Sequence, residues 1–167
     1  MNRHRRHIAA LIAAPALVLP RWVHAQGRVL TPSQTEGPFY PDELPTDHDG
    51  DLLTHGSLRY NQGQAASLTG TVSDAQGRAL RNAVIDIWQC DQQGRYRHPR
   101  DGNRVDVAFQ GFGRVFTDEQ GRYRFRTLRP AAYAGRTPHI HVKVLLGKRE
   151  LLTTQLYVEG DPGNERA

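Results

Sequence analysis

Residues 67–94 read SLTGTVSDAQGRALRNAVIDIWQCDQQG. Two runs rich in β-branched and aliphatic residues, 68–73 and 82–90, are set apart by turns carrying Gly77 and Gly94. That is the grammar of short strands joined by tight reversals, and it continues outward to further strands at 113–117, 122–128, 139–146 and 151–158. Three turns share an Asp-x-x-Gly form, Asp74 to Gly77, Asp91 to Gly94 and Asp118 to Gly121, each with the small or φ-permissive residues a reversal needs. No convincing amphipathic helix interrupts the pattern. Each strand must bury one face against another layer, so the chain is read as all-β, a two-sheet β-sandwich with Val84, Ile85, Ile87 and Trp88 in its core.

Upstream the text changes. Residues 26–66 hold Pro32, Pro38, Pro41 and Pro45 among scattered glycines, the composition of an irregular extended N-terminal arm that wraps the sandwich of 67–167. Residues 1–25 begin basic, run apolar from Ile8 to Pro20 and end on Val23-His24-Ala25. They read as an export signal peptide, cleaved after Ala25, with the mature chain periplasmic or secreted. Arg5-Arg6 gives the leader a twin-arginine-like look, with a general secretory route as the alternative. The apolar run is too short to span a bilayer, so no membrane span is expected after processing.

Composition narrows the function classes. The chain has 22 Lys+Arg and 17 Asp+Glu, but Arg3, Arg5, Arg6 and Arg21 sit in the leader, which leaves 18 basic residues against 17 acidic ones. So balanced a mature chain gives no argument for nucleic acid as a partner. The single cysteine, Cys90, forbids an internal disulfide and reads as a small buried packing group.

Chemistry concentrates near the end. In an extended segment His139 and His141 point to one face, so one cation can take both imidazoles while Ile140, Val142 and Val144 face a core. Tyr133 and Arg136 lie just before them, and Tyr96 follows the Asp91–Gly94 turn. A phenol with a pKa of about 10 becomes a ligand only when a strong Lewis acid strips its proton, which makes ferric iron the natural candidate.

These residues, with Thr35-Glu36-Gly37-Pro38-Phe39-Tyr40-Pro41, Ile87-Trp88-Gln89, Gly94-Arg95-Tyr96-Arg97-His98, Pro138-His139-Ile140-His141, Thr154-Gln155-Leu156-Tyr157 and Glu159-Gly160-Asp161-Pro162 in that order, resemble the intradiol ring-cleavage dioxygenases, in particular the protocatechuate 3,4-dioxygenase type. The resemblance implies a prealbumin-like sandwich and a mononuclear non-haem Fe(III) held by Tyr96, Tyr133, His139 and His141. It further implies a catechol-type substrate, protocatechuate-like, cleaved with O2 to a cis,cis-muconate-type diacid. By the same resemblance Tyr133 is an axial ligand that helps take up a substrate proton, Arg136 is a cation beside the ring, and Gln155 and Tyr157 line the pocket. A homo-oligomer or a partner subunit is implied as well. The short Ala134–Pro138 connection predicts a more open pocket than in many relatives, and relatives continue past Gly160-Asp161-Pro162, so a C-terminal truncation relative to them is expected.

Two other readings fit parts of the text. An exported transthyretin-like or carboxypeptidase-regulatory-like binding module shares the sandwich but has no use for two tyrosines and a His-x-His pair. A zinc or copper site would take His139, His141 and a carboxylate such as Asp161. Tyr40, Tyr60 and Tyr123 read as packing residues and His98 as a turn or surface residue, while His48 and His55 carry no spacing argument.

Overall fold

A computed structural model describes residues 29–166, so the expected leader lies outside the described residues. The strands are β1 (Thr54–His55), β2 (Leu58–Arg59), β3 (Ala65–Thr71), β4 (Val84–Trp88), β5 (Phe112–Phe116), β6 (Arg122–Leu128), β7 (His139–Leu146) and β8 (Arg149–Tyr157). Short 3-10 turns follow at Pro99–Asp101 and Pro162–Arg166. β1 and β2 form a small hairpin, β3 pairs with β6, and β5, β4, β7 and β8 form a four-stranded sheet in that order, every pairing antiparallel. The all-β sandwich read from the sequence is the observed architecture.

The strands alternate as a pleat requires. Ile85 and Ile87 of β4 and Ile140, Val142 and Val144 of β7 meet Phe125 and Leu128 of β6 in the main core, where burying each such side chain is worth roughly 1.5–3 kcal/mol. Alternation corrects one expectation. Trp88 belongs to a second cluster with Cys90, Tyr96 and Phe112, and Val84 is only partly buried, because a period of two sends both to the face opposite Ile85 and Ile87.

All three Asp-x-x-Gly turns are built alike. The Gly N–H donates to the Asp carbonyl at 2.9–3.0 Å, and Asp Oδ1 accepts from the backbone two and four residues on. In the outer two, Asp Oδ2 also pairs with Arg78 or Arg122. In the middle one it instead accepts from Asp106 N–H at 3.0 Å, which ties the turn before Tyr96 to the loop beyond it.

The other face of the four-stranded sheet carries His139, His141 and Lys143, yet all three are buried. Residues 32–40 cover it. Gln34 N–H donates to Thr153 O at 2.9 Å and Thr154 Oγ1 to Pro32 O at 2.9 Å, fastening this segment along β8. Further on, Arg126 N–H donates to Gly50 O and Leu52 N–H to Arg126 O, which adds residues 50–52 beside β6, and Leu52 and Leu53 plug the main core.

Candidate metal centre

One row of side chains crosses the covered face. Trp88 is the register partner of both Phe112 and His141, and His141 that of Gln155, while His139 stands opposite Tyr157. His139 and His141, two residues apart, bring their Nε2 atoms to 3.1 Å. A carbonyl only accepts, so the 2.7 Å contact of His139 Nδ1 with Thr137 O places the proton on Nδ1 and leaves the Nε2 lone pair facing His141. His141 lies flat on Trp88, centroids 4.8 Å apart and planes at 8°. Burial, with smaller repulsion from His139 and Arg136, pushes the His141 pKa down to about 3, and burial lowers that of His139. Both rings are therefore neutral near pH 7 and carry no charge that would repel a cation.

Tyr96 leaves the Asp91–Gly94 turn with its N–H donating to Asp101 Oδ2 at 2.7 Å and its ring stacked on Phe39 at 4.4 Å. Tyr133 starts a tight turn closed by Arg136 N–H donating to Tyr133 O at 2.7 Å, with positive φ at Ala134 (44°) and Gly135 (77°). That turn sets Tyr133 and Arg136 side by side. The four rings make a closed circuit: Tyr96 to Tyr133 5.0 Å, Tyr133 to His139 5.4 Å, His139 to His141 4.7 Å and His141 to Tyr96 6.1 Å. The Tyr96 hydroxyl is buried without a hydrogen-bond partner, and burial raises the pKa of both phenols. A buried phenol without a partner, in one circuit with a second phenol and two neutral imidazoles, suits a hard, highly charged cation, whose field replaces the proton.

Beside this circuit, Gln155 Oε1 accepts from Arg136 Nη2 at 2.8 Å and from Tyr157 OH at 2.9 Å, while Gln155 Nε2 donates to Thr35 O at 2.9 Å. All sequence-picked site residues thus meet in one place. Asp161 does not join them: its Oδ1 accepts from Thr137 Oγ1 at 3.1 Å and Gly163 N–H at 2.8 Å, capping the turn after β8. Among the described residues no cluster of three or more His, Cys, Asp or Glu gathers; the aromatic neighbours of the two imidazoles include Tyr96, Tyr133 and Tyr157. A cleft of about 320 Å³ opens next to Arg136, between its turn and Pro162-Gly163, whereas a larger groove on β5 and β6 is lined by none of these groups.

Sequence reasoning missed several contributors. Gly37 sits at φ +73°, and a Cβ there would lie 3.3 Å from His141 Cε1. Phe39 and Trp88 flank the donors. His98 has the turn role read for it, its Nδ1 accepting from Arg100 N–H at 3.1 Å to cap Pro99–Asp101, but it is buried rather than on the surface. The Thr35–Pro41 motif was the available signal, but no local pattern says what it touches.

Comparison with known proteins supplies the lineage. A family model described as Dioxygenase matches residues 35–164. The protocatechuate 3,4-dioxygenase beta chain of Burkholderia cepacia is 39% identical over 132 residues, 71% of this chain and 54% of that one. The chain belongs to the intradiol ring-cleavage dioxygenase family. Within that family, the hydroxyquinol 1,2-dioxygenase of Corynebacterium glutamicum is 35% identical over 144 residues, 75% of this chain and 45% of its own length. This dioxygenase-family chain therefore spans about half the length of the curated relatives it matches. Among solved structures, the dioxygenase domain of a dioxygenase carbohydrate-binding protein fusion from Streptomyces sp. SirexAA-E superposes with a TM-score of 0.65 at 34% identity, covering 81% of this chain and 79% of that one.

Proposed function

We propose that this chain binds one non-haem Fe(III) and carries out intradiol cleavage of a catechol-type, protocatechuate-like aromatic diol with O2, giving a cis,cis-muconate-type diacid. The observation that carries the reading is the circuit of Tyr96, Tyr133, His139 and His141, with its orphaned phenol and two neutral imidazoles. These four side chains hold the iron. Bound there, Fe(III) would supply Lewis acidity toward the diol oxygens and so make the ring reactive toward O2. Two phenolates and two imidazoles favour the ferric state over the ferrous, unlike the two-His-one-carboxylate set of Fe(II) oxygenases.

The remaining roles belong to the protein. Tyr133, less deeply buried than Tyr96 and mounted on a turn, takes a proton from the incoming diol at its phenolic oxygen. The fixed charge of Arg136, held by Gln155, stabilises negative charge building on the substrate. Gln155 and Tyr157 orient substrate oxygens by hydrogen bonding, and Phe39 and Trp88 keep the donors dry. We further propose that the mature protein works after export, and that a second copy or a partner subunit completes the pocket around the 320 Å³ cleft.

The decisive experiment is an iron assay and visible spectrum of the purified protein, before and after anaerobic addition of protocatechuate. The expected result is a tyrosinate-to-Fe(III) charge-transfer band, weakened in Tyr96→Phe, lost when Tyr133→Phe is added and shifted by the diol, followed by O2 uptake on aeration. A protein that stays colourless after reconstitution with iron overturns the proposal.

A further inference from the structure

The segment covering the metal centre is pinned at two points four residues apart, and neither point touches a donor. At Tyr40, the hydroxyl donates to Asp86 Oδ2 at 2.8 Å. Asp86 is fully buried and is gripped by Arg114 through Nε to Oδ1 at 2.6 Å and Nη2 to Oδ2 at 2.7 Å. The Tyr40 ring packs edge-on against Trp88 at 4.9 Å and Phe112 at 6.0 Å, and Lys143 Nζ sits 3.6 Å from its centroid. At Glu36, the carboxylate pairs with the same Lys143. Asp86 lies two residues from Trp88, and Lys143 two from His141, on the same face. Between the two pins lie Gly37, against His141, and Phe39, stacked on Tyr96.

Buried ionic groups are costly, and their best attested use is to fix register. Register matters here. A shift of the segment by one residue would bring Pro38 or Glu36 to His141 in place of Gly37, the residue whose positive φ and missing Cβ allow the close approach. We propose that Tyr40 and Glu36, seated on the Asp86–Arg114–Lys143 ladder, are positioning residues that clamp residues 32–40 in register over the sheet and thereby set the places of Tyr96 and His141. The clamp is independent of the proposed reaction; its effect on iron rests on that reading.

Tyr40→Phe in the full chain keeps the ring and removes one hydrogen bond; Lys143→Met removes the links to Glu36 and to Glu150 on β8, so a folding defect in either variant leaves the other to decide. Hydrogen exchange on the iron-free protein is the first readout: the Gln34 amide, donor to Thr153 O, is expected to exchange about tenfold faster while β7 amides keep their protection. The second is Fe(III) affinity by chelator competition together with the charge-transfer band, expected to weaken about tenfold and to shift. Tyr123→Phe, a partly buried tyrosine on β6 outside this cluster, is expected to move neither readout. Unchanged exchange at Gln34 in both variants overturns the clamp. Faster exchange with unchanged iron affinity and band overturns the positioning role. A wild-type protein that takes up no iron overturns the proposed function instead, and the exchange result still decides the clamp.

Discussion

Replacing Arg114 by methionine keeps most of the aliphatic stem and deletes the guanidinium that grips Asp86. Asp86 has no exposed surface, and the Arg114 side chain is only 20% exposed, so the carboxylate has no route to water when its partner goes. Two charge-assisted hydrogen bonds of 2.6 and 2.7 Å are lost, and the Tyr40 hydroxyl remains. Breaking a buried pair from one side costs about 3–5 kcal/mol. Lys143, the register partner of Asp86 on β7, offsets part of this, which places the expected loss near 3 kcal/mol. For a domain of this size that is a fall of roughly 10 °C in Tm. The assay is urea unfolding followed by Trp fluorescence, with Arg114→Met compared with the double variant Arg114→Met/Asp86→Leu. Removing both charges relieves the stranded carboxylate, so the double variant is expected to be more stable than the single one. A loss below about 1 kcal/mol for the single variant, or additive losses in the pair, refutes the argument that the carboxylate is stranded.

Three other outcomes follow from the geometry. The folded iron-free protein keeps His141 unprotonated down to about pH 3, whereas the unfolded chain takes a proton near 6.5; stability must therefore fall as pH drops below 6.5, by up to about 1.4 kcal/mol per unit, and unfolding curves of His141→Gln should show a flatter pH profile. Ala134 holds φ +44° in the turn between Tyr133 and Arg136, so Ala134→Gly should raise stability by about 0.5–1 kcal/mol, and a lower Tm would contradict the strain argument. Gly37→Ala adds a Cβ at positive φ, 3.3 Å from the His141 ring; a weakening of iron binding by several-fold is expected in chelator competition, with little change if the ring yields freely.

The strands were legible because their information is local. β6 and β7 begin and end where the alternation of side chains places them, and β4 and β5 differ from expectation by a residue or two at the ends. The histidine pair was legible for the same reason, since i and i+2 on a strand share a face. What stayed hidden is long-range. Tyr40 read as packing, yet it donates to a carboxylate 46 residues away. Trp88 read as sandwich core, because no periodicity says that the other face of the sheet is also covered. The β1–β2 hairpin, two residues per strand, is too short to carry a pattern.

The covering segment also dictates an order of assembly. Its bonds to β7 and β8 close loops of 107 to 122 residues, among the longest the described chain can form. Residues 32–36 find their partners on β7 and β8 only 107 to 122 residues further along the chain, so the segment stays unpaired until those strands are in place. Tyr96 and His141 gain their cover only at that final closure. Competence to hold a metal should therefore appear as a late, cooperative step in refolding, after the sheet signal has saturated, and its rate should track the entropy of closing those loops.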